Sequence, residues 1–135
     1  DWPIFTRSRY LPPARISGSR FERTCVSDGT TIMNSVVEDS VIGIRATILG
    51  ANVRRTLHMG ADSNEVPAGP DAPPVGIGEG TVVEGAIIDK NVRIGRNVRI
   101  TNDENVVEGE GESWAIRDGI VVIPKNAVLH DGMRI

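Results

Sequence analysis

The sequence predicts an all-β chain wound as a hexapeptide-repeat solenoid. Three observations carry that prediction. Apolar residues recur about every six positions, a period that is neither helical nor a simple two-residue alternation. The core residues are Ile and Val rather than aromatics, which make up only 4% of the 135 residues, and β-branched chains favour strands. Turn formers fall once per unit, as in "DKN", "GRN", "PKN" and "SDG".

The first run of anchors is Val26, Ile32, Val37, Ile42, Ile48 and Val53, spaced 6, 5, 5, 6 and 5. The second is Ile77, Val83, Ile88, Ile94 and Ile100, spaced 6, 5, 6 and 6. The third is Ile123, Leu129 and Ile135, spaced 6 and 6. Four residues after many anchors comes a second small or β-branched residue: Thr30, Val36, Val41, Ala46, Thr81, Val92, Val98 and Ala127. Each unit supplies one short strand and one corner. Three units close a triangular coil of about 18 residues, and coils stack at about 4.8 Å. A β-sandwich would instead show turns at intervals of about 8–12 residues.

Two stretches interrupt the phase. "MGADSNEVPAGPDAPPVG" (59–76) is rich in Pro, Gly and Asp and reads as a protruding loop, with Asp62, Glu65 and Asp71 as solubilising charges. Residues 101–119 are acidic and read as irregular. Residues 1–15, with "LPP", read as an extended linker from an upstream domain, and residues 16–135 as the solenoid. The chain begins at Asp1 rather than Met, which adds the expectation of a piece of a longer protein.

Composition excludes some functions. A formal net charge of -3 argues against a general nucleic-acid or polybasic membrane binder. No apolar run approaches the roughly 18 residues of a membrane span, and no signal peptide is visible. Cys25 is the single cysteine, so no internal disulfide can form; this points to a reducing compartment, with Cys25 as a small packed hydrophobe.

Hexapeptide solenoids suggest three kinds of chemistry. An acyltransferase would need a histidine base, and the candidates are His58 and His130. A zinc hydratase would need three His ligands, and the chain has two. A regulatory module would need an anion site. Lys90 and Lys125 each lie two residues after an anchor, Ile88 and Ile123, and so share one phase of the repeat at an outward corner. Two ammonium groups held close together attract phosphate or carboxylate. Arg93, Arg96 and Arg99 read as a solvated outer face. No Gly-rich phosphate loop, Ser/His/Asp order or paired-acid constellation marks a catalytic site.

Several stretches resemble one family: "DWPIFTRSRYLPPARI", "DSVIGIRATI", "LHMGAD", "GIGEGTVVEGAIIDKNVRIGRNVRI" and "DGIVVIPKNAVLHDGMRI". They are similar, in order and along nearly the whole chain, to the C-terminal domain of glucose-1-phosphate adenylyltransferases of the plant and cyanobacterial type. The resemblance implies a left-handed parallel β-helix that regulates and assembles a homotetramer. The full enzyme would make ADP-glucose and pyrophosphate from ATP and glucose 1-phosphate in glycogen or starch synthesis. Catalysis and Mg2+ would belong to the N-terminal catalytic domain, so this chain would carry no cofactor, metal or catalytic residue of its own.

By motif, the resemblance implies effector-binding roles for Lys90 in "IIDKN" and Lys125 in "VIPKN", with Asp89 adjoining. Arg9 in "RSRYLPP" matches an arginine near the bound anion, and Arg7 stands where relatives carry Gln. The implied effector is 3-phosphoglycerate or phosphate. The implied location is the cytoplasm, or the plastid in a plant. The 62–76 loop is more Pro-rich than in plant relatives, and 101–119 is shorter and more acidic. The alternatives are a hexapeptide acyltransferase using His58 or His130, and the solenoid of another sugar-1-phosphate nucleotidyltransferase.

Overall fold

The computed structural model describes residues 9–62 and 69–135. Every named element is a β-strand of two to four residues. The strands stack into three sheets, and the chain visits the sheets in turn. The first sheet runs Arg15–Ser17, Thr31–Met33, Thr47–Leu49, Gly76–Ile77, Arg93–Ile94 and Val128–Leu129. The second runs Arg20–Glu22, Val36–Glu38, Asn52–Arg54, Val82–Glu84 and Arg99–Ile100. The third holds Cys25–Val26, Val41–Ile42, Leu57–His58, Ala86–Ile88 and Ile120–Ile123, and continues into two further strands described below. All neighbours in these three runs are parallel.

The predicted anchors form the core. Ile32 registers on Ile48, Ile48 on Ile77, Ile77 on Ile94 and Ile94 on Leu129. Ile32, Val37, Ile42, Ile48, Val53, Val83, Ile88, Ile100, Ile123 and Leu129 are wholly buried. Val26 and Ile135, at the two ends, pack on the core while partly exposed. Each buried Ile or Val contributes on the order of 1.5–3 kcal/mol relative to an exposed one.

The coil is shorter than the predicted 18 residues. Thr56 on Ser40 spans 16 residues, and Val98 on Thr81 spans 17. Units of five, interleaved with units of six, account for this. They also decide which residue joins the anchor inside the coil. Val36 and Val41 are not inward; Val41 is 48% exposed. The inward companion is two residues before each anchor: Thr30, Ser35, Ser40, Ala46, Ala51, Thr56, Thr81, Ala86, Val92 and Val98 are all buried. Alternation along a strand puts residues two apart on one face, so the anchor ahead sets the phase. In a six-residue unit that position coincides with the fourth after the previous anchor; in a five-residue unit it does not. The buried hydroxyls stay paired: Ser40 Oγ donates to Glu38 O at 2.6 Å and accepts from Thr56 N–H at 3.1 Å.

The same alternation corrects Cys25. Val26 takes the inward slot, so Cys25 faces outward and is exposed.

Residues 101–119 leave the repeat as expected, but regular structure resumes at Gly109. Gly109–Glu110, Ala115–Arg117 and Ile120–Ile123 form an antiparallel ribbon that widens the third sheet. Ile116 is buried in the main core and Trp114 packs against it. Asn102 closes the base of the insert. Its amide donates to Val106 O at 2.9 Å and Gly119 O at 3.0 Å, and accepts from Val106 N–H at 2.9 Å.

The described part of the Pro-rich stretch, from Gly69 onward, folds back on the solenoid. The Arg93 guanidinium donates to Pro73 O at 2.9 Å, so Arg93 clamps this segment rather than simply facing solvent. Pro12 O accepts from Gly29 N–H at 2.7 Å, so the chain already lies along the first coil before Arg15.

Candidate functional site

The edge between the third and first sheets carries the site. Its corners stack through backbone bonds: Arg45 N–H to Asp28 O at 3.2 Å, Ala61 N–H to Ile44 O at 2.9 Å, Asn91 N–H to Gly60 O at 3.1 Å, and Asn126 N–H to Lys90 O at 3.0 Å. Ile88 registers on Ile123, so the Lys90 and Lys125 corners lie on adjacent coils despite the insert between them. Asn91 and Asn126 follow the lysines with φ of 60 and 62 degrees, the left-handed region that Asn tolerates. The Asn91 amide donates to Asn126 Oδ1 at 3.2 Å and locks the two corners together.

The two ammonium groups converge on one carboxylate. Lys90 Nζ lies 3.2 Å from Asp62 Oδ1, and Lys125 Nζ lies 2.7 Å from Asp62 Oδ2. Hydrogen bonds from Lys125 and then Lys90 hold the Asp62 carboxyl below the usual carboxylate range. Asp62 in turn raises the Lys125 ammonium, with a smaller contribution from Asp89. All three side chains remain a third to a half exposed, so water screens these ion pairs.

Asp62 arrives through a turn tied at each step. Gly60 N–H donates to His58 Nδ1 at 2.9 Å, and Asp62 N–H donates to Asn91 Oδ1 at 2.7 Å. Gly60 has a φ of +84 degrees, and a Cβ there would sit 2.0 Å from Ile44 O. Only glycine fits this approach.

Asp89 caps its own turn: its carboxylate accepts the Lys90 N–H at 2.7 Å. Arg9 is exposed, and among the described residues no hydrogen bond or ion pair joins it to the lysines. The chain just beyond it, at Pro12, joins the same edge four coil rises from Asn91, roughly 19 Å at the spacing of parallel strands. Arg7 and Glu65 lie outside the described residues.

The histidines separate. His58 registers between Ile42 and Ile88, in an anchor slot of the third sheet, and is 1% exposed. Burial pushes its imidazole down to about 4. Its Nε2 has no partner among the described residues. A ring enclosed in this way cannot reach a substrate. His130 is exposed in a groove of about 760 Å³ on a different edge, beside Arg96, Asp131 and Pro70–Pro74. Neither lysine nor Asp62 lines that groove.

Sequence reasoning found the lysine pair but took Asp62 for a solubilising charge. Nothing in the hexapeptide phase links Asp62 to Lys125, 63 residues away. The signal that could have found it was its place in "LHMGAD", one of the stretches shared with the resembling family.

A family model described as the GLGC left-handed parallel β-helix domain matches residues 9–133. The chain belongs to this family. It is the β-helix domain of a glucose-1-phosphate adenylyltransferase-type protein. The GLGC coil is left-handed, against the right-handed preference of ordinary parallel crossovers. In this domain the stacked lysine corner is a pair of ammonium groups on adjacent coils, already holding a carboxylate.

Proposed function

We propose that this β-helix is the regulatory and assembly domain of a glucose-1-phosphate adenylyltransferase. The complete enzyme makes ADP-glucose and pyrophosphate from ATP and glucose 1-phosphate, using Mg2+ in an N-terminal catalytic domain. The domain binds a phosphorylated effector, 3-phosphoglycerate or phosphate, at the Lys90 and Lys125 corner. One observation carries this: two lysines on adjacent coils aim at a single pair of carboxylate oxygens. A point charge on each side of one anionic head is what a phosphate needs. Asp89 shapes the corner by fixing the turn at Lys90. Arg9 and Arg7, on the segment leading in, extend the site when the enzyme is assembled as a homotetramer, in the cytoplasm or a plastid.

The test is effector activation of the full-length enzyme. Lys90→Ala and Lys125→Ala should each raise the activation constant for 3-phosphoglycerate roughly three- to tenfold. Lys90→Arg, which keeps the charge, should recover part of the loss. Activation constants that stay unchanged in both alanine variants would refute the site.

A further inference from the structure

Four charged groups meet at the lysine corner, and they cancel. Lys90 and Lys125 supply two positive charges, and Asp62 and Asp89 supply two negative ones. The corner is therefore not the electropositive patch that its lysines suggest. An anion added to it as it stands gains little, because the ammonium groups are already engaged.

We propose that Asp62 is a tethered competitor. Its carboxylate occupies the subsite of an incoming anion, and a phosphorylated ligand binds the lysine pair only by displacing it. This rests on the effector-site reading above and adds its regulation.

Three features support it. First, the carboxylate binds as a bridging ligand would, one oxygen to each Nζ, at 3.2 and 2.7 Å. Second, it can leave without unfolding anything. The Asp62 backbone is held by Asn91 Oδ1, and the preceding residue by Ile44 O, while the Asp62 side chain is 33% exposed. Rotation about its own torsions carries the carboxylate into water. Third, the exchange favours one chemical class. Asp62 neutralises one charge, whereas a phosphate group carries about -1.5 to -2 at neutral pH and neutralises the pair. A tethered group competes at an effective concentration on the order of millimolar, so weak monoanions are screened out. Asp62 thus sets both a threshold and a preference for phosphate dianions over simple carboxylates.

The experiment uses the full-length enzyme and inorganic phosphate, with titration calorimetry at fixed ionic strength and acetate as the monoanion. The signal is the binding component that Lys90→Ala and Lys125→Ala weaken. Asp62→Asn, which keeps the shape and removes the charge, should tighten phosphate binding roughly three- to tenfold. It should also admit acetate. Asp62→Ser gives the same readout should the Asn form fail to fold. Phosphate binding indifferent to both lysine variants would overturn the effector site and this inference with it. Binding that weakens in the lysine variants but does not tighten in Asp62→Asn or Asp62→Ser would overturn the inference alone.

Discussion

His58 makes the stability of the coil dependent on acid. The imidazole replaces an Ile in the column Ile42, His58, Ile88 and Ile123. Its Nδ1 accepts the Gly60 N–H, so the ring proton sits on Nε2, where it has no partner among the described residues. A second proton would have to displace the Gly60 bond and place a charge among aliphatic groups. Burial accordingly lowers the pKa from 6.5 to about 4. The unfolded chain takes up a proton near 6.5 while the folded chain does not, so stability falls as pH drops below 6.5. The loss is about 2 kcal/mol between pH 7.5 and pH 5, and saturates near 3 kcal/mol below pH 4. Urea denaturation of the wild type and of His58→Leu at both pH values measures it. Every other ionisable group is common to the two proteins and drops out of the difference. At pH 7.5 the variant should lie within about 1 kcal/mol of the wild type, since removing one orphan donor orphans another at Gly60. At pH 5 it should be the more stable by about 2 kcal/mol. Parallel losses in the two proteins would show that His58 is not the group responsible.

Other substitutions test the rest of the framework. Ile88→Ala removes a wholly buried anchor between His58 and Ile123 and should cost about 2–5 kcal/mol in a urea melt. Arg45 holds a left-handed corner with a φ of 55 degrees; Arg45→Asn should raise stability by roughly 0.5–1 kcal/mol, read as a higher denaturation midpoint. Gly60→Ala meets Ile44 O and an unfavourable φ, and should destabilise the fold by several kcal/mol, on the order of an overpacked core site, with accelerated hydrogen exchange at Ala61 and Asp62.

What was legible in the sequence was whatever repeats. The anchors were readable because an inward position recurs at every coil, and one buried Ile after another leaves a phase. The second inward position is not legible from the anchor behind it, because units of five and six residues count differently from behind than from ahead. Thr30 and Ala46 satisfy both counts, whereas Val36 and Val41 satisfy only one. His58 was passed over as an anchor because a polar residue breaks the apolar pattern even when it keeps the spacing, five residues after Val53. The insert at 101–119 reads as polar because its core contribution rests on Val106, Trp114 and Ile116, which fall in no repeat phase. The lysine pair was readable as shared phase. Asp62 was not, because its partners come from later coils and no local pattern records that distance.

The departures from the repeat converge on one turn. His58 sits in an Ile slot, Gly60 in a conformation closed to other residues, and Asp62 at the point where the Pro-rich interruption begins. Each is held by the next part of the fold: Gly60 by the His58 ring, Asp62 by Asn91, and Asn91 by the Gly60 carbonyl. A leucine in place of His58 would pack at least as well but could not accept the Gly60 N–H. The unsatisfied Nε2 is therefore the cost of fixing the turn that delivers a carboxylate to Lys90 and Lys125. A core built only for stability would not contain it. That places His58 in service of the site rather than of the scaffold, and it predicts that His58→Leu loosens the hold of Asp62 on the lysines even at pH 7.5, where global stability barely changes. In amide exchange the Gly60 and Asp62 protons should lose protection while those of Ile88 and Ile123 keep theirs. Equal protection across all four in the variant would mean that the ring is only a tolerated substitute for isoleucine.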